Sequence, residues 1–401
     1  MTNLISVIIA NYNSACFIEE TVNSIIEQTH KNIEIIIVDD ISSDNSIDVI
    51  TKLQLKHPEI TLCVNKVNGG PAFTRNNGFA KVKGDWVAIV DSDDIIHKDR
   101  FKRLLDFATK QGADIVADDL LHFYEKTNEI NFLLEEKKYC TPYKVEAAEY
   151  ILSNSTRSGL PVMGYLKPFF RRELLEKYSY NQDLIIAEDY DFLLRMLLDG
   201  KQFWILPEPL YFYRKHSNSI SYRLSEGTID KMISAQNQLL ATIGSQNNEI
   251  MAAFKYREKS LLRDLYFQSL ITAIKRPKPL RIIGLIFAKP VILIDLYNSA
   301  ASGLLRRIKE FFAKFDFVVD RVNRIKIRRQ RKVINSSGNK YDLANPEAID
   351  FSDNFLLKAY LKLVNLVGID KFKNQKGRDK LYDYFRWSAQ ARGITELKDK
   401  I

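Results

Sequence analysis

Short apolar runs alternate with amphipathic stretches through the first 117 residues. Runs rich in β-branched residues, which are typical of buried strands, occupy positions 4–10, 33–38, 61–64, 86–90 and 114–117. Between them, apolar residues recur at helical spacing from Phe17 to about Gln28, from Ala72 to about Val82, and over 100–111. Gly84 is expected to end the second of these helices. The alternation predicts an α/β fold, a mostly parallel sheet with helices on both faces.

The pattern changes after residue 120. It is irregular to about 185, and then predicts a helix over 188–198, an extended segment over 203–213 and long helices over 226–246 and 251–275. Pro277 and Pro279 then interrupt the chain. We therefore expect an α/β domain over 1–225, a helical and basic region over 226–334, and a helical tail over 335–401.

Composition narrows the class of protein. The chain has 401 residues, of which 46% are hydrophobic, enough for one large domain and a second smaller one. Its three cysteines, Cys16, Cys63 and Cys140, lack metal-type spacing and are expected to be reduced, as in a cytosolic protein. No basic segment followed by a long apolar one begins the chain, so no secretory signal is expected.

Charge is distributed unevenly along the chain. Residues 1–250 hold 27 Lys and Arg against 35 Asp and Glu, whereas residues 251–401 hold 32 against 15. The net charge of +9 therefore combines an acidic first part with a strongly basic second part. Basic segments of this kind bind nucleic acid, anionic lipid or anionic substrates.

Polar side chains follow three of the predicted strands at their carboxyl ends. These are Asn11 and Tyr12, Asp39 and Asp40, and Asp91 and Asp93. The carboxyl ends of parallel strands share one edge, where open α/β folds bind ligands. Crowded carboxylates favour a cation between them, and hard oxygen ligands suit Mg²⁺ or Mn²⁺ shared with phosphates. The alternative for the last pair is a solvated acidic turn.

The type of ligand can be narrowed by motifs that are missing from the sequence. Neither a Gly-x-Gly-x-x-Gly turn after the first strand nor a Gly-x-x-x-x-Gly-Lys-Ser/Thr loop is present, which disfavours dinucleotide and P-loop sites. Carboxylates accept hydrogen bonds from base N–H groups and ribose hydroxyls. Arg75, one turn into a predicted helix, can reach base, ribose or phosphate, unless it is a surface arginine. These features predict a nucleoside-diphosphate site.

Several motifs occur together and in order over residues 3–225. They are Ser6-Val7-Ile8-Ile9-Ala10-Asn11-Tyr12-Asn13, Val38-Asp39-Asp40 with Ser42-Ser43-Asp44, Arg75-Asn76-Asn77-Gly78, Asp91-Ser92-Asp93-Asp94 and Glu188-Asp189-Tyr190-Asp191. In this set the chain resembles the family 2 glycosyltransferases, which have the GT-A nucleotide-sugar fold. The stretches 113–120 and 164–168 resemble bacterial exopolysaccharide enzymes of the succinoglycan type.

The resemblance implies a nucleotide-binding role for one group of residues. Asp39 would contact the base with Asp40 beside it, and Asn11 and Tyr12 would line the nucleoside pocket. Arg214, in the segment after the extended stretch, would contact the diphosphate.

The resemblance also implies metal and catalytic roles. Asp93 would bind Mn²⁺ or Mg²⁺ directly, and Asp91 would hold the ribose or a water on the metal. His216 would bind the metal or the diphosphate, unless it is a structural histidine. Asp189 matches the general base of inverting members; the alternative is an acidic first turn favoured by the helix dipole.

The basic C-terminal third contains an apolar segment, 282–305, interrupted by Lys289, Pro290 and Asp295. Its uninterrupted stretch is too short to span a membrane. With the basic cluster 321–332 it is expected to lie on an anionic membrane surface. The alternative is a buried helical hairpin with a basic solvated face. No nucleic-acid-binding module is recognisable.

The sequence therefore predicts an inverting, metal-dependent hexosyltransferase that uses a nucleotide sugar, most simply a UDP-sugar. The expected acceptor is a hydroxyl of a glycan or lipid-linked oligosaccharide in bacterial surface or exopolysaccharide synthesis. The expected location is the cytoplasm, peripheral on the inner membrane face. Alternatives are a nucleotidyltransferase of similar fold and a non-catalytic protein that binds nucleotide sugar or membrane.

Overall fold

The computed structural model describes residues 3–124, 130–134, 141–216, 224–243, 247–275, 279–288, 291 and 293–296. Cys140, the basic cluster 321–332, the tail 335–401 and much of the apolar segment 282–305 lie outside these ranges. The expectations made for those segments therefore stay predictions, as do the two boundaries between the three expected regions.

The described residues form an α/β structure followed by helices. The strands are β1 (Ile5–Asn11), β2 (Ile33–Asp39), β3 (Ile60–Val64), β4 (Trp86–Ile89), β5 (Ile95–Ile96), β6 (Ile115–Tyr124), β7 (Ile130–Phe132), β8 (Tyr143–Lys144), β9 (Phe169–Arg171) and β10 (Phe203–Lys215). The helices are α1 (Ile18–Ile26), α2 (Ser46–Lys56), α3 (Gly70–Phe79), α4 (Arg100–Gln111), α5 (Ala147–Ser153), α6 (Glu188–Leu198), α7 (Glu226–Thr242), α8 (Asn248–Lys275) and α9 (Pro279–Ala288). The predicted α/β class is confirmed.

One sheet runs through the described part of the chain in the order β3-β2-β1-β4-β9-β6-β10-β5, with β7 beside β6 and β8 beside β10. Its first four strands are parallel, as are β6 and β10. Strand β9 lies antiparallel between β4 and β6, so the sheet is mixed. Two antiparallel steps bring β6 back to the direction of β4, and the carboxyl ends of β1, β2, β4, β6 and β10 therefore share one edge, hereafter the rim.

The core explains why the strands are continuously apolar. Ile5, Val7, Ile8 and Ile9 are all fully buried, although alternate residues of a strand point to opposite faces of the sheet. Helices therefore cover both faces, as in other parallel sheets. The long helix α8 packs against α5 and α7, and its Phe254 is buried in the same apolar cluster as the sheet.

Two local predictions differ from the structure. Helix α3 begins at Gly70, before the predicted start at Ala72, because Pro71 suits a first helical turn. It ends at Phe79, before the predicted end near Val82. Gly84 lies five residues beyond that end. Its N–H donates to the Ser6 hydroxyl at 2.8 Å, and a Cβ there would lie 2.6 Å from the carbonyl oxygen of Leu4. Gly84 is thus required by close packing on β1 and does not terminate the helix.

The extended segment predicted at 203–213 is confirmed as β10. Its register against β6 shifts between Leu206 and Tyr211. Pro207 and Pro209 lie within this shift, where they can donate no ladder hydrogen bond. None of the helices in the described ranges combines the length and apolarity needed to cross a bilayer.

Candidate active site

The nucleoside side of the rim is a network of neutral donors around Asp39. The Asn11 side-chain amide donates to Asp39 Oδ2 at 2.6 Å, and the Ser42 hydroxyl donates to the same oxygen at 2.6 Å. The Ser42 N–H donates to Asp39 Oδ1 at 2.8 Å. Asp39 is fully buried and Tyr12 is half exposed beside it. The structure thus gathers Asn11, Tyr12 and Asp39 at the ends of β1 and β2.

Asp40 faces a different part of the chain from Asp39. Its carboxylate accepts the Gly69 N–H at 3.0 Å, the Gly70 N–H at 2.8 Å and the Asn65 side-chain amide at 2.8 Å. These donors belong to the loop that begins α3. Asp40 therefore holds that loop against β2, and its carboxylate is engaged within the protein. Its predicted part in nucleotide binding stays a prediction.

A buried ion-pair cluster lies at the end of β4. Arg75 NH2 is 3.0 Å from Asp91 Oδ1, and Lys167 Nζ is 2.7 Å from Asp91 Oδ2. Burial by itself would raise the pKa of Asp91, but Lys167 and Arg75 outweigh it and lower that pKa to about 2. Burial would likewise lower the pKa of Lys167, and Asp91 and Asp189 raise it. Asp91 is thus an ionised carboxylate paired with two fixed cations.

The same two cations reach the first turn of α6. Arg75 NH1 lies 2.9 Å from Glu188 Oε1 and 3.5 Å from Asp189 Oδ1, and Lys167 Nζ lies 3.5 Å from Asp189 Oδ2. Ala187, which precedes this turn, has a left-handed backbone with φ of 69°. Non-glycine residues rarely adopt that conformation, and such outliers concentrate at functional sites. The turn places both carboxylates toward β4.

Glu188 differs from Asp91 in its protonation. Burial, and then the charge of Asp189, raise the pKa of Glu188 to about 7, although Arg75 opposes the change. Glu188, Asp189 and Asp91 together carry one more negative charge than Arg75 and Lys167 can balance. A proton on Glu188 near neutral pH completes the balance.

Asp93 and His216 form a second pair on the solvent side of this cluster. His216 Nε2 lies 2.7 Å from Asp93 Oδ2, and both side chains are partly exposed. A carboxylate oxygen and an imidazole nitrogen are both ligands for Mn²⁺, so this pair fits a divalent cation. Within the described residues no three His, Cys, Asp or Glu side chains are grouped to hold a metal ion. Two protein ligands are consistent with Mg²⁺ or Mn²⁺ shared with phosphates.

Asp91, which was predicted to hold the ribose or a water on the metal, is directed to Arg75 and Lys167, and its predicted role stays a prediction. Arg214, the predicted diphosphate contact, is also held within the protein. Its Nε donates to the main-chain oxygen of Asp93 at 2.7 Å, and its NH2 pairs with Glu20. Arg214 thus joins β10 to the turn that carries Asp93.

Two residues of the site had no predicted role. Lys167 comes from the irregular region; its only signal was its place in the stretch 164–168. Tyr211, the second of these residues, lies on β10. It is fully buried, and its hydroxyl donates to Asp94 Oδ2 at 2.7 Å and accepts the Asp91 N–H at 3.0 Å. Burial, then Asp93 and Asp91, raise the pKa of Asp94 well above its usual range.

Sequence comparison finds known proteins that are similar to the chain. Residues 6–179 match the model of "Glycosyl transferase family 2". The chain is 30% identical over 238 residues to the succinoglycan biosynthesis protein ExoO of Rhizobium meliloti, covering 59% of this chain and 68% of that protein. It is 31% identical over 245 residues to the uncharacterized glycosyltransferase EpsJ of Bacillus subtilis, covering 59% and 69%.

Structural comparison supports the fold. Residues 1–349 of S. aureus TarS, crystallised with UDP-GlcNAc, superpose with a TM-score of 0.54 at 22% identity. The superposition covers 71% of this chain and 79% of the TarS chain. At this identity the likeness concerns the fold alone.

Proposed function

The chain belongs to glycosyltransferase family 2, and from this premise we propose that it is an inverting, metal-dependent hexosyltransferase. The donor would be a UDP-sugar and the acceptor a hydroxyl of a glycan or lipid-linked oligosaccharide. The relative ExoO is named for succinoglycan biosynthesis, which supports a role in bacterial surface or exopolysaccharide synthesis.

One observation carries the proposal. Asp91 and Asp189 are nearly one hundred positions apart in the chain, yet both lie within 3.5 Å of the same two cations. Only a folded rim brings the end of β4 and the start of α6 to one point. Such a cluster of buried, charged side chains, one with a strongly raised pKa, is typical of a reaction centre.

Asp189 is the proposed general base. Its carboxylate is 3.5 Å from both cations, whereas Asp91 is held at 2.7 and 3.0 Å, so Asp189 is the less tightly bound of the two. It would accept the proton of the acceptor hydroxyl as that oxygen attacks the anomeric carbon. A base in hydrogen-bond reach contributes about 10²–10⁴-fold to the rate. Attack opposite the departing diphosphate inverts the configuration.

The nucleoside would lie against Asn11, Tyr12 and Asp39, as the family resemblance implies. Asp93 and His216 would hold Mn²⁺ or Mg²⁺ at the diphosphate. A divalent cation there would neutralise the negative charge that develops on the leaving group. Both residues follow strands that end at the rim, β4 and β10. Asp93 is two residues from Asp91, which shares Lys167 with the proposed base Asp189, so the pair would lie at the end of the donor nearest the transferred sugar.

We also propose that the protein works in the cytoplasm at the inner face of the membrane, where a lipid-linked acceptor would be available. Helix α9 exposes Leu280, Ile283 and Phe287 to solvent, and Arg281 lies beside them. Apolar and basic residues on one helix suit the interface of an anionic bilayer. Substitution of the basic residues 321–332 should then weaken binding to anionic liposomes without loss of donor hydrolysis.

A donor screen tests the proposal. UDP-, GDP- and TDP-sugars would be compared by the shift each causes in the melting temperature, with Mn²⁺ present. The largest shift is expected for a UDP-sugar, and slow release of UDP should stop in EDTA and resume when Mn²⁺ or Mg²⁺ is added. Binding without any UDP release, with glycan acceptors supplied, would instead indicate a non-catalytic nucleotide-sugar-binding protein.

A further inference from the structure

A buried ion pair lies behind the rim, outside the residues assigned above. Arg100 on α4 and Asp118 on β6 are both fully buried. Arg100 Nε is 2.9 Å from Asp118 Oδ2, and Arg100 NH2 is 2.8 Å from Asp118 Oδ1. A buried pair of this kind adds little stability over apolar residues of similar volume. Stability alone therefore does not account for it.

The pair has a first connection to the site through Lys167. Arg100 NH2 also donates to the main-chain oxygen of Lys167 at 3.0 Å. That bond fixes the backbone from which the Lys167 side chain extends to Asp91 and Asp189. The residue lies in the segment before β9, where regular backbone hydrogen bonding has not yet begun.

A second connection passes through Tyr211. The Arg100 guanidinium carbon is 4.9 Å from the centroid of the Tyr211 ring, within the range of a cation–π interaction. The Tyr211 hydroxyl in turn holds the Asp91 N–H. The Arg100 guanidinium thus contacts Lys167, which pairs with the Asp91 side chain, and also Tyr211, which accepts the Asp91 N–H.

We propose that Arg100 is a positioning residue for glycosyl transfer. Held by Asp118, it sets Lys167 and Tyr211 so that the Lys167 ammonium lies between Asp91 and Asp189. The inference rests on the proposed function, because it concerns the rate of that transfer. A displacement of about 1 Å in such a constellation lowers a rate by about 10²-fold.

The test replaces both partners, Arg100→Met with Asp118→Leu, so that no lone buried charge remains. Turnover of the UDP-sugar is expected to fall by about 10- to 100-fold, while the Kd for UDP measured by calorimetry stays the same. Arg103→Met is the matched control, since Arg103 lies one turn along α4 and pairs with Glu208 near the surface. Its turnover should equal that of the wild type.

A double-mutant cycle distinguishes positioning from a general structural role. If Arg100 acts through Lys167, then adding the Arg100 and Asp118 changes to Lys167→Met should slow turnover little further. Multiplicative losses would overturn the inference. Should the paired variant not fold, Arg100→Lys provides the test, because an ammonium keeps a cation beside Asp118 but lacks the second guanidinium arm that donates to the Lys167 oxygen; unchanged turnover there would also overturn the inference. A wild type that binds UDP-sugar but never turns it over would refute the proposed function itself.

Discussion

The two ends of the rim hold their carboxylates by different means. On the nucleoside side, Asp39 is held by the amide of Asn11 and by Ser42, all neutral donors. On the catalytic side, Asp91 is held by the cations Arg75 and Lys167. The first network joins the neighbouring parallel strands β1 and β2. The second joins, through Asp91, the segments of Arg75 and Lys167, which are more than ninety positions apart in the chain.

The difference indicates a division of tasks. Amide, hydroxyl and main-chain donors do not titrate, and on the nucleoside side they fix the geometry of a pocket that suits an uncharged base and ribose. Buried ion pairs couple the protonation of each member to that of the others. We therefore expect changes on the catalytic side to alter rate, stability and pH dependence, and changes on the nucleoside side to alter mainly the affinity for nucleotide.

The largest effect is expected for Asp189→Asn. Transfer should fall by about 10²–10⁴-fold because the amide cannot accept the acceptor proton, while the Kd for UDP remains unchanged. Asp191→Asn is the control, since Asp191 lies on the same helix but pairs with Arg195 at 3.0 Å. If Asp189→Asn retains wild-type turnover, the catalytic assignment of that side is wrong.

The next effect concerns stability. Arg75→Met leaves the buried Glu188 without its partner cation and Asp91 with Lys167 alone, and the free energy of unfolding should fall by about 3–5 kcal/mol. Lys102→Met removes an exposed ion pair with Asp106 within one helix and should cost about 0–1 kcal/mol. Urea unfolding of both variants gives the comparison. Equal losses of unfolding free energy in the two variants would mean that the buried cluster contributes no more to stability than an exposed ion pair does.

The nucleoside side can be tested with adjacent carboxylates. Asp39→Asn should weaken UDP binding by about 1–3 kcal/mol, since the carboxylate that holds Asn11 and Ser42 is lost. Asp40→Asn should leave the Kd for UDP unchanged and lower stability instead, because Asp40 holds the backbone of Gly69 and Gly70. Calorimetry and urea unfolding separate the two outcomes, and a loss of affinity confined to Asp40→Asn would reverse the assignment.

The smallest effect is a change in pH dependence. The pKa of Glu188 is about 7 in the folded chain against an ordinary value of 4.5, so the folded state binds more protons between those values. The free energy of unfolding of the wild type should therefore decrease as pH rises from about 5 to about 8. In Glu188→Gln this decrease should be smaller, whereas Glu173→Gln, at an exposed position, should behave as the wild type does. Parallel curves for all three proteins would exclude the raised pKa.

Residues of the site differ in how far the sequence could locate them. Asn11, Asp39 and Asp91 were found because each follows a strand, and parallel strands end at a common edge. Lys167 was missed because its position depends on β9, which enters antiparallel between β4 and β6 from an irregular stretch. The main-chain bond from the Ile89 N–H to the Pro168 oxygen, 3.2 Å long, joins that stretch to the end of β4.

The sequence by itself determined the α/β class, the strands and helices of the first part, and the family to which the chain belongs. These follow from local apolar periodicity and from motifs read in order. Only the tertiary structure decided which charges meet: that Asp91 pairs with Lys167, that Arg214 is held by Glu20, and that Asp40 holds a loop. Pairing of this kind depends on distances of a few ångströms between remote segments, and periodicity along a chain carries no information about such distances.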